Sequence, residues 1–352
     1  MKKIIIFTPS LNIGGVEKVL LTYAALLNLR DKYEVIYLVC HMDGDGCLSV
    51  PSKLKVVNLN TRRLRQSVGR IVTFLRNESP DYLFVANSVT LIALFAKWLS
   101  CSNVRIITSH HYFPSVETNT WLDRWLVFKS YNLCHKVIAI SHGISDLLKR
   151  KGVKNHKIIP IYNPINVHEI VQYSQEKIDV ASEPYVLFVG RLAEVKNIKL
   201  LIDSVCYLHI NKRIPISLII VGDGPERGKM EAYANGLGLK KIHFVGAKSN
   251  PYPYICNARI VALASLSEAF PTILLESLAL GRTVVSTPTI GAAEILRGGR
   301  YGYLTRTFDS ISEYAHTLEY AYNNPIDGKV LSNYVQDTYN AYRILEQIDH
   351  IL

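Results

Sequence analysis

The chain of 352 residues is 49% hydrophobic and 20% charged, which excludes an intrinsically disordered protein and leaves room for two domains. No apolar run reaches the roughly 20 residues that span a bilayer, which argues against an integral membrane protein. The net charge of +11 leaves three kinds of anionic partner open, namely nucleic acid, anionic lipid and a phosphorylated small molecule.

The N-terminal half predicts strands that alternate with helices. Strands are expected at 2–8, 34–40, 54–59, 82–86, 104–108 and 137–140, and the first helix at 16–29. This alternation is typical of a mainly parallel sheet with helices on both faces. Gly14 and Gly15, in the first strand-to-helix turn, allow a phosphate or sugar to approach the backbone, although tight packing also explains them.

Two features of this half have competing interpretations. His110 and His111 follow a strand at the end where parallel sheets bind ligands, but a solvated loop histidine fits equally well. Asp43 and Asp45 match the Asp-x-Asp pattern of metal-dependent sugar transferases. The glycines around them indicate a surface turn instead, and we expect no metal site.

Basic clusters and an aromatic helix mark the same half of the chain. Arginines at 62, 63, 65, 70 and 76 and the basic run 149–151 suit an anionic bilayer as well as a solvated helix face. The spacing of Trp121, Trp125 and Phe128 predicts one shared helical face, either packed in the core or lying at a membrane interface. The six cysteines form no CxxC pair, so we expect reduced thiols.

A second α/β half begins at Tyr185, after a polar linker near 163–184, and a ligand cleft between the halves is the natural expectation. In its first loop, Gly190 is followed by Arg191 and Lys196, which form a cationic clamp for phosphate oxygens or a solvated loop. The later turns at Gly222, Gly224 and Ala247 suit a nucleotide pocket as well as a helix start.

The segment 267–281 places two carboxylates eight residues apart. Glu268 precedes a predicted helix, and Glu276 lies among leucines on its second turn, where it needs a partner or a ligand hydroxyl to offset desolvation. The alternative is a surface loop with one solvated glutamate. Free backbone N–H groups at the helix start suit a phosphate or sugar hydroxyl. They belong to Phe270, Thr272 and Ile273, around Pro271.

These motifs, in this order and over nearly the whole chain, resemble the retaining glycosyltransferases of family 4. The resemblance implies the GT-B architecture, an α/β fold of two Rossmann-like domains that face each other across a cleft. It implies an N-terminal acceptor domain over 1–165, completed by a C-terminal helix over about 335–352. The donor domain would be 166–334.

The resemblance also implies residue roles. Arg191 and Lys196 would hold the donor diphosphate, Glu276 the ribose hydroxyls, and Glu268 the donor sugar. The remaining positions implied to contact the donor are Gly14, Gly15, His110 or His111, Gly190, Gly222, Gly224, Ala247, Phe270, Pro271, Thr272 and Ile273. Neither a metal nor a cofactor is implied, because the two cations neutralise the phosphates.

Within the family, the segments 162–164 and 268–272 resemble bacterial enzymes that build capsule, O-antigen or N-glycan-type oligosaccharides on a lipid carrier. They imply transfer of a hexose or N-acetylhexosamine from a UDP-sugar to a lipid-linked acceptor. We therefore expect a cytoplasmic protein, peripheral on the inner face of the cytoplasmic membrane, that binds no nucleic acid. The alternatives are a UDP-N-acetylglucosamine 2-epimerase, a non-catalytic nucleotide-sugar-binding protein and, from charge alone, a nucleic-acid binder.

Overall fold

The computed structural model describes residues 1–11, 14–42, 50–111, 121–178, 183–212, 214, 216–238 and 241–352, with only the backbone at 121–124. The chain divides into two compact units. The first consists of 1–164 with 341–352, and the second of 165–340. In these ranges, no helix is both long enough and apolar enough to cross a membrane.

The first unit is built on a seven-stranded parallel sheet. Its elements are β1 (Lys2–Thr8), α1 (Gly15–Asn28), β2 (Tyr33–Val39), β3 (Lys55–Asn58), α2 (Val68–Glu78), β4 (Tyr82–Ala86), α3 (Val89–Ser100), β5 (Arg105–His110), α4 (Trp121–Tyr131), β6 (Lys136–Ala139), α5 (His142–Arg150) and β7 (Ile158–Pro160). The strands lie in the order β3-β2-β1-β4-β5-β6-β7.

That strand order contains a topological switch point between β1 and β4. From β1 the chain moves outward through β2 and β3, and from β4 it moves the other way through β5 to β7. Ile4 and Tyr82 are in register across the two central strands. In open parallel sheets, ligands bind beyond the carboxyl ends of the strands at this point.

The second unit repeats the design with six parallel strands. Its elements are α6 (Val167–Tyr173), β8 (Tyr185–Val189), α7 (Ile198–Lys212), β9 (Ser217–Val221), α8 (Arg227–Gly236), β10 (Ile242–Gly246), α9 (Tyr252–Asn257), β11 (Ile260–Leu263), α10 (Thr272–Ala279), β12 (Val284–Ser286), α11 (Ile290–Ile295), β13 (Tyr303–Leu304), α12 (Ile311–Asn323) and α13 (Gly328–Tyr339). The order β10-β9-β8-β11-β12-β13 puts its switch point between β8 and β11.

The sheets confirm the predicted α/β fold. Their strands are continuous apolar runs because helices cover both faces, as in the centre of β1, where Ile4, Ile5 and Ile6 are fully buried. One predicted strand needs correction and two strands were missed. The strand expected at 104–108 extends to His110, whereas β7 and β13, of three and two residues, were too short to be predicted from periodicity.

The predicted helical tail is also different in detail. The C-terminal helix expected over about 335–352 is not continuous, because Asn340 has φ −55° and ψ 133° and ends α13. A separate helix, α14 (Ala341–Asp349), then packs against α1 of the first unit, whereas α13 packs against α10. Ile344, Leu345 and Ile348 form the buried stripe of α14.

The aromatic face predicted for α4 is not uniform, because Phe128 and Trp125 lie in different surroundings. Phe128 is buried and lies 5.5 Å, centroid to centroid, from the ring of His110. Trp125 is 50% exposed and stacks instead with the ammonium of Lys129. The side chain of Trp121 lies outside the described residues, as do Asp43 and Asp45.

Candidate active site

The switch point of the second unit brings two predicted site residues together. The loop after β8 carries Lys196, and the loop after β11 carries Glu268. The ammonium nitrogen of Lys196 lies 2.5 Å from Oε1 of Glu268. A backbone hydrogen bond of 2.8 Å also joins the two loops, with the Leu266 N–H donating to Val195 O. Residues 72 positions apart thus form one structure at the end of the sheet.

The carboxylate of Glu268 is held by more than the lysine. Ser265 Oγ donates to the same Oε1 at 2.8 Å, and the hydroxyl of Thr287 donates to the Ser265 carbonyl at 2.5 Å. Both hydroxyl side chains are fully buried. This two-step support fixes the direction of a carboxylate that is itself only 14% exposed.

The backbone of this loop is fixed by a glycine. The Gly291 N–H donates to the Glu268 carbonyl at 3.1 Å, and a β-carbon on Gly291 would lie 2.5 Å from the Ala269 carbonyl oxygen. Only glycine therefore allows α11 to approach so closely. Sequence reasoning missed Gly291 and Ser265 as supports of Glu268; the Ser-x-x-Glu spacing was a local signal for the second.

Arg191 differs from Lys196 in its surroundings. It is exposed, and its guanidinium has no hydrogen bond or ion pair among the described residues. The loop thus offers one cation that is already neutralised by Glu268 and one that is not. A diphosphate would find its strongest uncompensated charge at Arg191, whose planar donors suit phosphate oxygens.

Backbone hydrogen bonds join the glycine-containing turns of this unit. Gly190 N–H donates to Val221 O at 3.0 Å, and Gly222 N–H donates to Gly246 O at 2.9 Å. Gly224 has φ +157°, and a β-carbon there would lie 2.4 Å from the carbonyl oxygen of Leu192. Packing of loop against loop is therefore enough to require these glycines. The neighbouring Ala247 is exposed.

The α10 segment carries the second glutamate. Glu276 is 5% exposed within an otherwise apolar helix. Pro271 is the N-cap residue with an extended backbone, and α10 begins directly after it, at Thr272. The N–H groups of Thr272 and Ile273 have no hydrogen-bond partner in the part of the chain that is described, so they remain available to a ligand. Phe270 is buried, and its ring centroid lies 5.8 Å from that of Tyr339.

Two of the predicted site residues, Gly14 and Gly15, lie at the start of α1 in the first unit. Gly15 is exposed at the start of α1, and a β-carbon there would meet no atom within 4 Å, so packing does not require a glycine. Gly14 is the N-cap residue of the same helix.

The two histidines face different surroundings. Nδ1 of His110 lies 2.9 Å from the hydroxyl oxygen of Tyr131, inside an aromatic cluster. His111 donates its backbone N–H to Asn87 Oδ1 at 2.9 Å, and its Nε2 lies 2.8 Å from Ser109 Oγ. Burial, with a smaller contribution from the charge of His110, lowers the pKa of His111 to about 3. His111 is therefore neutral near pH 7.

Comparison with known proteins covers both units. The family model described as Glycosyltransferase Family 4 matches residues 13–169, and the model described as Glycosyl transferases group 1 matches residues 172–338. Together the two models span nearly the whole chain.

Two curated relatives act on bacterial glycans. An N-acetylgalactosamine-N,N'-diacetylbacillosaminyl-diphospho-undecaprenol 4-alpha-N-acetylgalactosaminyltransferase of Campylobacter jejuni is 27% identical over 86% of this chain and 86% of its own length. A lipopolysaccharide 1,6-galactosyltransferase of Salmonella typhimurium is 26% identical over 70% of this chain and 67% of its own.

Solved structures share the fold. Anabaena Alr3699/HepE in complex with UDP-glucose superposes with a TM-score of 0.82 at 19% identity, covering 99% of both chains. Sucrose-phosphate synthase of Thermosynechococcus elongatus gives a TM-score of 0.83 at 17% identity, covering 100% of this chain and 98% of its own.

Proposed function

Since the chain belongs to the glycosyltransferases of family 4, which have the GT-B fold, we propose that it transfers a hexose or N-acetylhexosamine from a UDP-sugar to a lipid-linked saccharide. The proposed binding of the sugar donor rests on one observation. The Lys196–Glu268 pair lies at the switch point of the second unit, in the same loop as the unpaired Arg191. One unit thus combines cations for a diphosphate with an oriented carboxylate for sugar hydroxyls.

In this proposal Arg191 and Lys196 bind the donor diphosphate. The bond between the anomeric carbon and the diphosphate oxygen breaks, and negative charge grows on that oxygen. Cations beside it stabilise that charge, which is the main catalytic effect expected here. The acceptor hydroxyl oxygen forms the new bond, and its proton passes to the departing diphosphate. The family resemblance supports retention of the anomeric configuration and a reaction without metal.

Binding of the diphosphate has a consequence for Glu268. Lys196 is only 23% exposed and already pairs with that carboxylate, so phosphate oxygens must share the ammonium with it. Glu268 would then accept hydrogen bonds from donor hydroxyls in part of the space now used by Lys196. Ser265 keeps the carboxylate oriented during this exchange.

Glu276 is the proposed ribose contact. Its buried position in α10 fits a carboxylate that a ligand hydroxyl helps to satisfy, and the free N–H groups of Thr272 and Ile273 begin the same helix. The solved neighbours in complex with UDP and UDP-glucose support a uridine nucleotide as donor.

A membrane-bound acceptor is supported by the charge of the first unit. Residues 59–157 contain 15 of the 40 Lys and Arg but only 5 of the 29 Asp and Glu. This segment therefore has a net charge of +10, nearly the whole net charge of +11 of the chain. Helix α3 exposes a stacked pair, Phe95 at 50% and Trp98 at 72%, and packs between α2 and α4. Exposed aromatic residues among basic ones suit an anionic bilayer surface.

The names of the curated relatives support the acceptor class. The Campylobacter jejuni enzyme acts on an undecaprenol-linked saccharide, and the Salmonella typhimurium enzyme on lipopolysaccharide. We therefore propose a role in capsule or O-antigen type surface polysaccharide synthesis at the inner face of the cytoplasmic membrane.

The first experiment is a thermal-shift panel with UDP, GDP, ADP and UDP-hexoses. A ligand present at 100 to 1,000 times its Kd stabilises the folded state by about 3–4 kcal/mol, which raises the melting temperature measurably. We expect a shift with UDP and with one or more UDP-sugars, and its loss in Glu276→Ala. A Glu319→Ala variant, which removes a surface carboxylate of α12, is the control. No shift with any nucleotide would contradict the proposal.

A further inference from the structure

Helix α11 connects the backbone of Glu268 to a tyrosine hydroxyl on α13. At the start of α11, the Gly291 N–H donates to the Glu268 carbonyl at 3.1 Å. At its end, the Ile295 carbonyl accepts from the hydroxyl of Tyr334 at 2.7 Å. The helix has only six residues, fewer than two turns, so a displacement at one end moves the other end as well.

The same hydroxyl is connected to the Glu268 loop by a second route. The hydroxyl oxygen of Tyr334 lies 3.0 Å from that of Tyr339, the last residue of α13. Because Tyr334 donates its single hydroxyl proton to Ile295, Tyr339 is the donor in this pair. The Tyr339 ring in turn packs against Phe270, two residues after Glu268, with a centroid separation of 5.8 Å. The loop is therefore supported both through α11 and through an aromatic contact.

The Tyr334 side chain is itself held in a single direction. It is only 6% exposed, and its ring stacks on that of Tyr301 with centroids 3.7 Å apart and an interplanar angle of 3°. The guanidinium of Arg297 lies 5.4 Å from the centroid of the Tyr334 ring. A phenylalanine at this position would keep these ring contacts and lose only the hydroxyl, so Tyr334→Phe removes the connection to α11 with little other change.

We propose that Tyr334 is a positioning residue of the donor-sugar site, and that its hydroxyl holds the Glu268 loop in the orientation that contacts the sugar. The inference rests on the proposed function, in which Glu268 accepts hydrogen bonds from donor hydroxyls. Arg191 and Glu276, the proposed contacts of the nucleotide part, lie in the loop after β8 and in α10. They are outside the segment 268–270 that Tyr334 supports, so its loss should affect the sugar more than UDP.

A purely structural role for Tyr334 is the alternative, because a buried hydroxyl that donates to a backbone carbonyl stabilises any fold. Tyr185 offers a matched comparison in the same unit. Its hydroxyl donates to the Tyr254 carbonyl at 2.7 Å, and this hydrogen bond is also buried. Tyr185 is the first residue of β8, at the amino end of the sheet and away from the candidate site. Tyr185→Phe therefore loses an equivalent hydrogen bond without affecting the Glu268 loop.

The test measures the Kd values of UDP, UDP-N-acetylgalactosamine and UDP-glucose for the full chain by isothermal titration calorimetry. Loss of one buried hydroxyl hydrogen bond should lower the melting temperature of Tyr334→Phe and of Tyr185→Phe by about 2–4 °C. Tyr334→Phe should also weaken binding of the preferred UDP-sugar by about 3- to 10-fold, the equivalent of about one hydrogen bond. UDP affinity should stay unchanged in both variants, and Tyr185→Phe should bind the UDP-sugar as the wild type does.

The pattern across the two variants decides the outcome. Equal weakening of UDP-sugar binding in both would assign the effect to stability alone and overturn the inference. So would wild-type affinity of Tyr334→Phe for the UDP-sugar, or a loss of UDP affinity as large as that for the UDP-sugar. Failure of the proposed function appears differently, as absence of UDP binding in the wild type, and the inference would then fail with it.

Discussion

Lys196 and Glu268 form an ion pair that joins the loops after β8 and β11, the two central strands of the second unit. The pair is largely shielded, with the two side chains 23% and 14% exposed. Replacing the lysine would leave a carboxylate that is poorly hydrated and has lost its charged partner. A buried charge without its partner is more costly than the pair is stabilising.

Lys196→Met should therefore affect both stability and transfer. We expect the free energy of unfolding to fall by about 1–3 kcal/mol, since a hydrogen bond between charged groups is lost. Transfer should fall about 100-fold or more, because a cation at the departing diphosphate is removed. Adding Glu268→Gln should restore part of the stability but none of the activity. Urea unfolding and donor turnover measure the two effects.

Lys241→Met is the matched control for that experiment. Lys241 pairs with Glu183 at 2.7 Å, but the Glu183 side chain is 60% exposed and stays hydrated without its partner, so removal of the lysine should leave the free energy of unfolding nearly unchanged and the turnover intact. Equal losses in the two methionine variants would contradict the special position of Lys196.

Lys196 and Glu268 also show what the sequence can reveal. Both belong to loops that follow buried apolar strands, and parallel strands place such loops at one edge, so the fold and the grouping of these residues were predictable. The support from Thr287 through Ser265 depends on which strands become neighbours, which local patterns do not encode.

Helix faces were less predictable than strands. Spacing predicts that Trp125 and Phe128 are neighbours on the helix surface, but it does not show where the buried part of that surface ends. Phe128 packs in the aromatic cluster of His110, whereas Trp125 is half-exposed. The helix break at Asn340 is not predictable from the local sequence, because no proline or glycine lies next to it. It arises because α13 and α14 pack against different units.

Gly222 should tolerate no side chain. Its φ is +148°, and a β-carbon would lie 1.9 Å from the Gly190 carbonyl oxygen, so Gly222→Ala must move one loop of the candidate site. We expect a loss of at least about 2 kcal/mol in unfolding free energy, measured by urea denaturation. Gly228→Ala, in α8 with open space around it, should instead gain about 0.5–1 kcal/mol. Similar values for both would refute the packing argument.

His111 should make the protein less stable in acid. Its pKa of about 3 in the folded state is below the ordinary value of 6.5, so the unfolded chain binds the proton more tightly. The contribution of this group to the free energy of unfolding is therefore full above about pH 6.5. As the pH drops from 6.5 toward 3, the free energy of unfolding falls by up to about 1.4 kcal/mol per pH unit. His111→Gln should show a shallower loss between pH 6.5 and 4.5 than the wild type in urea unfolding. His316→Gln, at an exposed histidine, is the control, and parallel curves for all three proteins would contradict the prediction.

The exposed aromatic pair of α3 should contribute to membrane binding. Phe95 and Trp98 stack at 6.0 Å, and Leu99 beside them is 38% exposed, so this part of the first unit presents apolar surface amid excess positive charge. Burial of such side chains at a bilayer interface adds to the roughly 1 kcal/mol that each nearby basic residue contributes on an anionic membrane. We expect sedimentation with vesicles that contain anionic lipid, and weaker sedimentation at high salt or with the Phe95→Ala/Trp98→Ala variant.

The controls separate the apolar contribution from the charge. Tyr342→Ala removes an aromatic side chain that is 61% exposed on α14, another helix of the same unit, and should sediment as the wild type does. Replacing Arg62, Arg63 and Arg65 by glutamine should reduce binding to anionic vesicles, because these arginines are exposed and would no longer attract the surface. If the wild type fails to bind anionic vesicles at moderate salt, the membrane role is wrong. If only the arginine variant loses binding, the attraction is electrostatic and α3 does not enter the interface.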